Sequence, residues 1–156
     1  MHDVIIVGGG VMGLAAAREV ALQGRSVLVL DRGNPRDSTS WAAAGMLAPQ
    51  SEADKPTPFF DLCLASARIY RDWANHLHEE SGIDPEYADS GLICLASTED
   101  ALCRLRRAME WQKAAGLQSE FLTPQEALRM EPGLTLSITG GVLMPEECHV
   151  TPRKVL

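Results

Sequence analysis

With 156 residues the chain has the length of one domain and enough mass for a real core. Its formal charge of -7 argues against nucleic acid or an anionic membrane surface as the main partner, because phosphate would repel it. There is no apolar run of about eighteen residues, and the N-terminus enters a strand without a basic stretch or cleavage site, so a cytoplasmic protein with no membrane partner is expected.

The first element is Val4-Ile5-Ile6-Val7, four branched apolar residues that read as a parallel strand covered on both faces. Gly8, Gly10 and Gly13 follow at the G-x-G-x-x-G spacing. The first glycine permits a tight turn, the second lets a pyrophosphate approach the backbone, and the third lets helix and strand pack closely. Val11, Met12 and Gly13 open the next helix, whose unpaired N–H groups point at such a phosphate. Residues 14–22 are good helix formers, Gly24 lies just past their end, and Ser26 to Leu30 is a second buried strand. Asp31 closes that strand, where a carboxylate can accept hydrogen bonds from both hydroxyls of an adenosine ribose. Strand, turn, helix, strand and acid in this order predict a dinucleotide site. Arg32 could stack on adenine, pair with a 2′-phosphate, or be a solvated loop charge; Asp31 disfavours the 2′-phosphate by repulsion.

After a polar loop, Ser38-Thr39-Ser40-Trp41-Ala42-Ala43-Ala44-Gly45-Met46-Leu47 places hydroxyls ahead of small residues, a pattern that can donate hydrogen bonds and then pass close to something flat. Taken alone, residues 42–47 also fit a short helix of small residues packed on the sheet. Together with the opening fingerprint, the segment resembles the second flavin-contacting motif of the glycine oxidase and D-amino-acid oxidase family of FAD enzymes, in particular the glycine oxidases of thiamine synthesis. The resemblance implies FAD as cofactor, with Thr39 and Ser40 at the pyrophosphate and Ala44, Gly45 and Met46 against the isoalloxazine ring. It implies oxidation of glycine or another small amine to an imine, with hydrogen peroxide as the second product.

Further along, Thr57 and Pro58 start an amphipathic helix of about six turns, with Phe59, Leu62, Cys63, Ile69, Tyr70, Trp73 and Leu77 as its core stripe and a stop near Gly82. His76 and His78 on it face different directions and share no metal. Residues 91–96 form a strand, and Thr98 caps a helix over 99–115 with Leu102, Leu105 and Met109 inward and Arg104, Arg106 and Arg107 on a solvated face. Phe121-Leu122 is extended, Thr123-Pro124-Gln125-Glu126 is a capping box opening a short helix to Met130, residues 141–145 are a strand, and Thr151-Pro152 opens another helix. Cys63, Cys94, Cys103 and Cys148 lie too far apart for a metal site and read as buried reduced thiols. The segments TPQEALRMEPGL and GGVLMPEECHVTPRKVL extend the resemblance over essentially the whole chain.

The fold expected is α/β: a Rossmann-like FAD-binding βαβ unit with its flavin-contacting loop over residues 1–58, the long helix over 59–82, a partial α+β substrate domain over 83–148, and a return segment from 149 to 156. Two strands leave a doubly wound sheet short of the third that lies beyond strand one. A fragment or split-gene subunit is therefore expected, with a missing C-terminal half or partner chain, and a homo-oligomer is compatible with it. No acid/base pair stands out as catalytic; Glu52, just after the flavin-contacting run, could border the active site, but a solvated loop carboxylate is the favoured reading. The alternatives are a nicotinamide-dependent dehydrogenase fragment, which leaves residues 38–46 unexplained, and a non-catalytic remnant or subunit.

Overall fold

A computed structural model describes residues 1–134 and 137–156. The chain divides into two units: Met1–Gly45 with Ala74–Glu86 and Val150–Leu156, and Met46–Trp73 with Tyr87–His149.

In the first unit, β1 (Val4–Val7) pairs in parallel with β2 (Val27–Leu30), Val4 opposite Val27 and Val7 opposite Leu30, and α1 (Val11–Leu22) makes the crossover between them. This is the βαβ unit read from the sequence. The helix starts at Val11, three residues earlier than its good helix formers, because the glycine turn itself delivers the chain into helical geometry. Gln23 ends it, and Gly24 follows with φ +73°.

The expectation that both faces of these strands are covered fails. Burial alternates along β1, with Ile5 58% and Val7 86% exposed, and Leu30 is also exposed. α1 packs on one face of the pair, and among the described residues the sheet has these two strands alone. Ser38 caps α2 (Thr39–Ala42) by accepting the Trp41 N–H at 3.1 Å, so the hydroxyl-bearing segment is helical where a loop was expected. Arg18 grips Glu80 with two hydrogen bonds of 2.9 and 2.6 Å, fixing α1 against residues 74–81 of the long helix. α6 (Pro152–Val155) completes the unit and packs on α2.

In the second unit a three-stranded antiparallel sheet runs β4 (Leu92–Ala96), β6 (Gly140–Met144), β5 (Glu120–Leu122). β6 is central and its residues are the most buried. Val142 stands opposite both Cys94 and Phe121, and with Met144 it packs against Met109 and Leu105 of α4 (Glu99–Ala114) to form the core. Thr98 caps α4 through the Ala101 N–H, and Thr123 and Glu126 complete the expected capping box of α5 (Pro124–Met130). β3 (Met46–Leu47) pairs antiparallel with β7 (Cys148–His149), two strands too short to show a period in sequence.

The long helix α3 spans Pro58–Ser81 as expected, with the Thr57 hydroxyl accepting the Phe60 N–H. Its buried stripe is shifted by one residue at the start. Phe59, Leu62 and Ile69 are exposed, Phe59 by 74%, whereas Phe60 is 4% exposed and stacks edge-on against Trp111. His76 and His78 are exposed. All four cysteines are free; three are half-buried, but Cys103 lies on the outer side of α4 and is exposed, contrary to expectation.

The second unit also holds a polar network that has no counterpart in the sequence analysis. Gln50, Gln112 and Glu147 are all buried. The Gln50 amide donates to Gln112 Oε1 and to the Gln118 carbonyl, both at 3.0 Å, Gln112 returns a bond to the Gln50 carbonyl at 2.9 Å, and the Gln50 N–H donates to Glu147 Oε1 at 2.7 Å. Burial pushes the Glu147 carboxyl above its ordinary value of 4.5, more than the N–H groups of Gln50 and Ser51 bring it down. The folded chain thus holds this proton to higher pH than the unfolded chain does. Stability is expected to fall as pH rises from 4.5 through the raised value, and Glu147→Gln to flatten that part of a urea-unfolding pH profile.

Candidate functional site

The first unit carries an open cleft of about 570 Å³ lined by Gly9, Gly10, Asp31, Arg32, Thr39 and Ser40 together with residues 33, 34, 37 and 38. Five of the residues expected at a dinucleotide site, Gly10, Asp31, Arg32, Thr39 and Ser40, are therefore brought together. Gly8, Val11, Met12 and Gly13 adjoin them as the turn and first helical turn. The third glycine of the fingerprint has a measurable reason: a Cβ added at Gly13 would lie 1.9 Å from the Gly8 carbonyl oxygen.

Two contacts prepare this cleft. The Val11 N–H, one of the helix N–H groups with no intrahelical acceptor, donates to Ser40 Oγ at 3.1 Å. With a lone pair so engaged, the Ser40 hydroxyl is left its own proton to donate outward. Asp31 accepts the Gly9 N–H at 2.6 Å and the Gly33 N–H at 2.9 Å, and these bonds hold its carboxyl below the usual range. Asp31 is therefore an ionised acceptor at neutral pH, with lone pairs left over for hydroxyl donors.

This chemistry fits FAD. A pyrophosphate meets a helix N-terminus and an outward hydroxyl donor, and a ribose meets a fixed carboxylate that would repel a 2′-phosphate. The part that Gly9 and Gly33 play in orienting Asp31 is invisible in sequence, because backbone N–H donors carry no side-chain signature.

Ala44, Gly45 and Met46 do not line this cleft. Ala44 and Met46 are exposed, and Gly45 is engaged by its own unit, its carbonyl accepting the Val150 N–H at 2.9 Å. The second unit has a cleft of about 840 Å³ where Arg71 pairs with Asp89 and lies over the Tyr87 ring, and Tyr87 donates to Cys148 Sγ at 3.0 Å. Desolvation pushes both the Tyr87 phenol and the Cys148 thiol up, so each stays neutral and offers no nucleophile. Glu52 is exposed, as expected.

The family model described as DAO, FAD dependent oxidoreductase, matches residues 3–156. The chain belongs to this family. Its cofactor is FAD, which sets aside the nicotinamide alternative. A glycine oxidase of Geobacillus kaustophilus is 37% identical over 151 residues, covering 96% of this chain and 40% of its own length. The Bifunctional protein ThiO/ThiG of a Synechocystis strain is 34% identical, covering 99% of this chain and 22% of that protein. The crystal structure of the Geobacillus kaustophilus glycine oxidase superposes with a TM-score of 0.95 at 36% identity, over 99% of this chain and 42% of that one. The chain thus spans about two fifths of the length of the glycine oxidases it matches. Among the described residues no helix is long and apolar enough to cross a membrane.

Proposed function

We propose that this chain carries the FAD-binding part of an oxidase of glycine or another small amine, with thiamine thiazole synthesis as the setting the resemblance implies. The observation that carries the reading is the Ser40 hydroxyl bonded to the Val11 N–H at the mouth of α1. In this reading Val11, Met12, Gly13, Thr39 and Ser40 bind the pyrophosphate, Asp31 accepts from the ribose hydroxyls, and Arg32 covers the adenine. Ala44, Gly45 and Met46 lie against the isoalloxazine ring. When bound, FAD supplies the acceptor for the two electrons leaving an amine's Cα–H and N–H bonds, with dioxygen taking them on as hydrogen peroxide. In this reading the chain's own residues bind and orient the cofactor.

The gene product should purify yellow and release hydrogen peroxide with glycine or another small amine. Colourless protein that neither takes up FAD nor makes peroxide would overturn the reading. Asp31→Asn keeps the shape but removes the charge and one acceptor. It is expected to weaken FAD binding about tenfold, read as a shifted flavin-fluorescence titration; because one of the Gly9 and Gly33 N–H groups then loses its acceptor, the apoprotein midpoint should fall as well and is measured beside it.

A further inference from the structure

Residues 150–156 belong to the same unit as the glycine turn, and they hold the segment that carries Ser40. Arg153 Nε donates to the Trp41 carbonyl at 3.3 Å, and its guanidinium lies 5.4 Å from the indole centroid. The Arg36 guanidinium stands 5.7 Å from that centroid, so the Trp41 ring has two cationic contacts. α6 is itself anchored: Glu86 accepts from the Thr151 hydroxyl and from Lys154 Nζ, while the Thr151 N–H donates to the Pro85 carbonyl at 2.8 Å. Glu86 has φ +56°, a conformation uncommon outside glycine, which these bonds sustain.

α2 is a single turn, too short to persist by its own hydrogen bonds. Its placement must come from outside contacts, and Trp41 is where they converge. Ser40, its chain neighbour, carries the hydroxyl bonded to Val11 N–H. Resting on the FAD reading above, we propose that Arg153 and Trp41 are positioning residues for cofactor capture, holding α2 so that Ser40 is aimed before FAD arrives. Arg153 is not among the residues that line the cleft, and its Nε and guanidinium face are turned to Trp41, so it acts through Ser40. If the aimed arrangement becomes tenfold rarer, the apparent Kd for FAD rises by the same factor.

The test is a double-mutant cycle on the whole gene product, reading the Kd for FAD by flavin fluorescence and the thermal midpoint of each apoprotein. Ser40→Ala and Arg153→Met are each expected to raise Kd about tenfold, and the double variant to be within about twofold of Ser40→Ala alone. Arg153→Lys, which retains a cation over the indole, is expected to recover most of the affinity. An unchanged Kd in Arg153→Met overturns the proposal. So does an additive double variant, which would put Arg153 on FAD itself. A Kd that follows a fallen apoprotein midpoint, with no coupling to Ser40, assigns Arg153 to stability and overturns it too. Wild-type protein that binds no FAD is a separate result, which removes the underlying cofactor reading.

Discussion

Gly13→Ala is expected to abolish FAD retention and to lower the thermal midpoint by roughly 10 °C. The added methyl carbon would sit 1.9 Å from the Gly8 carbonyl oxygen and 3.0 Å from its carbonyl carbon. Both are backbone atoms, so no rotamer change relieves the contact. Either α1 slides away from β1 or the turn opens, at a cost of about 3 kcal/mol. Either movement also displaces the Val11 N–H from Ser40, and the Kd for FAD should rise more than about 100-fold. Gly33→Ala is the control, since a Cβ there meets nothing within 4 Å; it should shift stability by no more than about 0.5 kcal/mol. Differential scanning of the apoproteins with a parallel FAD titration measures both. A Gly13→Ala protein that stays yellow with an unshifted midpoint would show that turn and helix do not approach this closely.

The βαβ unit and its cleft were legible because their signals are local. An apolar run, a fixed glycine spacing and an acid at a strand end lie within 31 residues, and each has a physical reason to be where it is. The capping residues Thr57, Thr98 and Thr123 were readable for the same cause. What sequence left out depends on partners distant in the chain. Residues Phe59 and Phe60 both suit an apolar stripe, and contact with Trp111 selects Phe60. Gln112 on α4 carries no local signal of burial, because its partner Gln50 lies 62 residues away. Exposure of Ile5 and Val7 follows from what packs on β1, which a run of branched residues cannot state. At the site, Asp31 was found from its place in the fingerprint, but the role of Gly9 in fixing it was hidden in a backbone N–H.

Gly45 is where local and distant readings meet, and substituting it separates them. Resemblance places this glycine against the flavin ring, where a side chain would obstruct the cofactor and leave the empty protein untouched. The geometry supplies a second demand. Gly45 has φ +84°, and an added Cβ would lie 2.0 Å from the Val150 carbonyl oxygen and 2.8 Å from Pro152 Cδ. A left-handed conformation costs a residue with a side chain about 1–2 kcal/mol. The clash with a backbone carbonyl and a rigid proline ring adds about 2–3 kcal/mol. Relieving it would also stretch the 2.9 Å bond from the Val150 N–H to the Gly45 carbonyl. Gly45→Ala is therefore expected to lower the midpoint of the apoprotein by more than about 10 °C, with no flavin present. Ala44→Val is the complement: Ala44 is exposed in this unit, so the apoprotein midpoint should hold while FAD affinity falls if the ring lies there. An apoprotein midpoint untouched by Gly45→Ala would leave flavin clearance as the reason for the glycine and deny the close approach of residues 150–152.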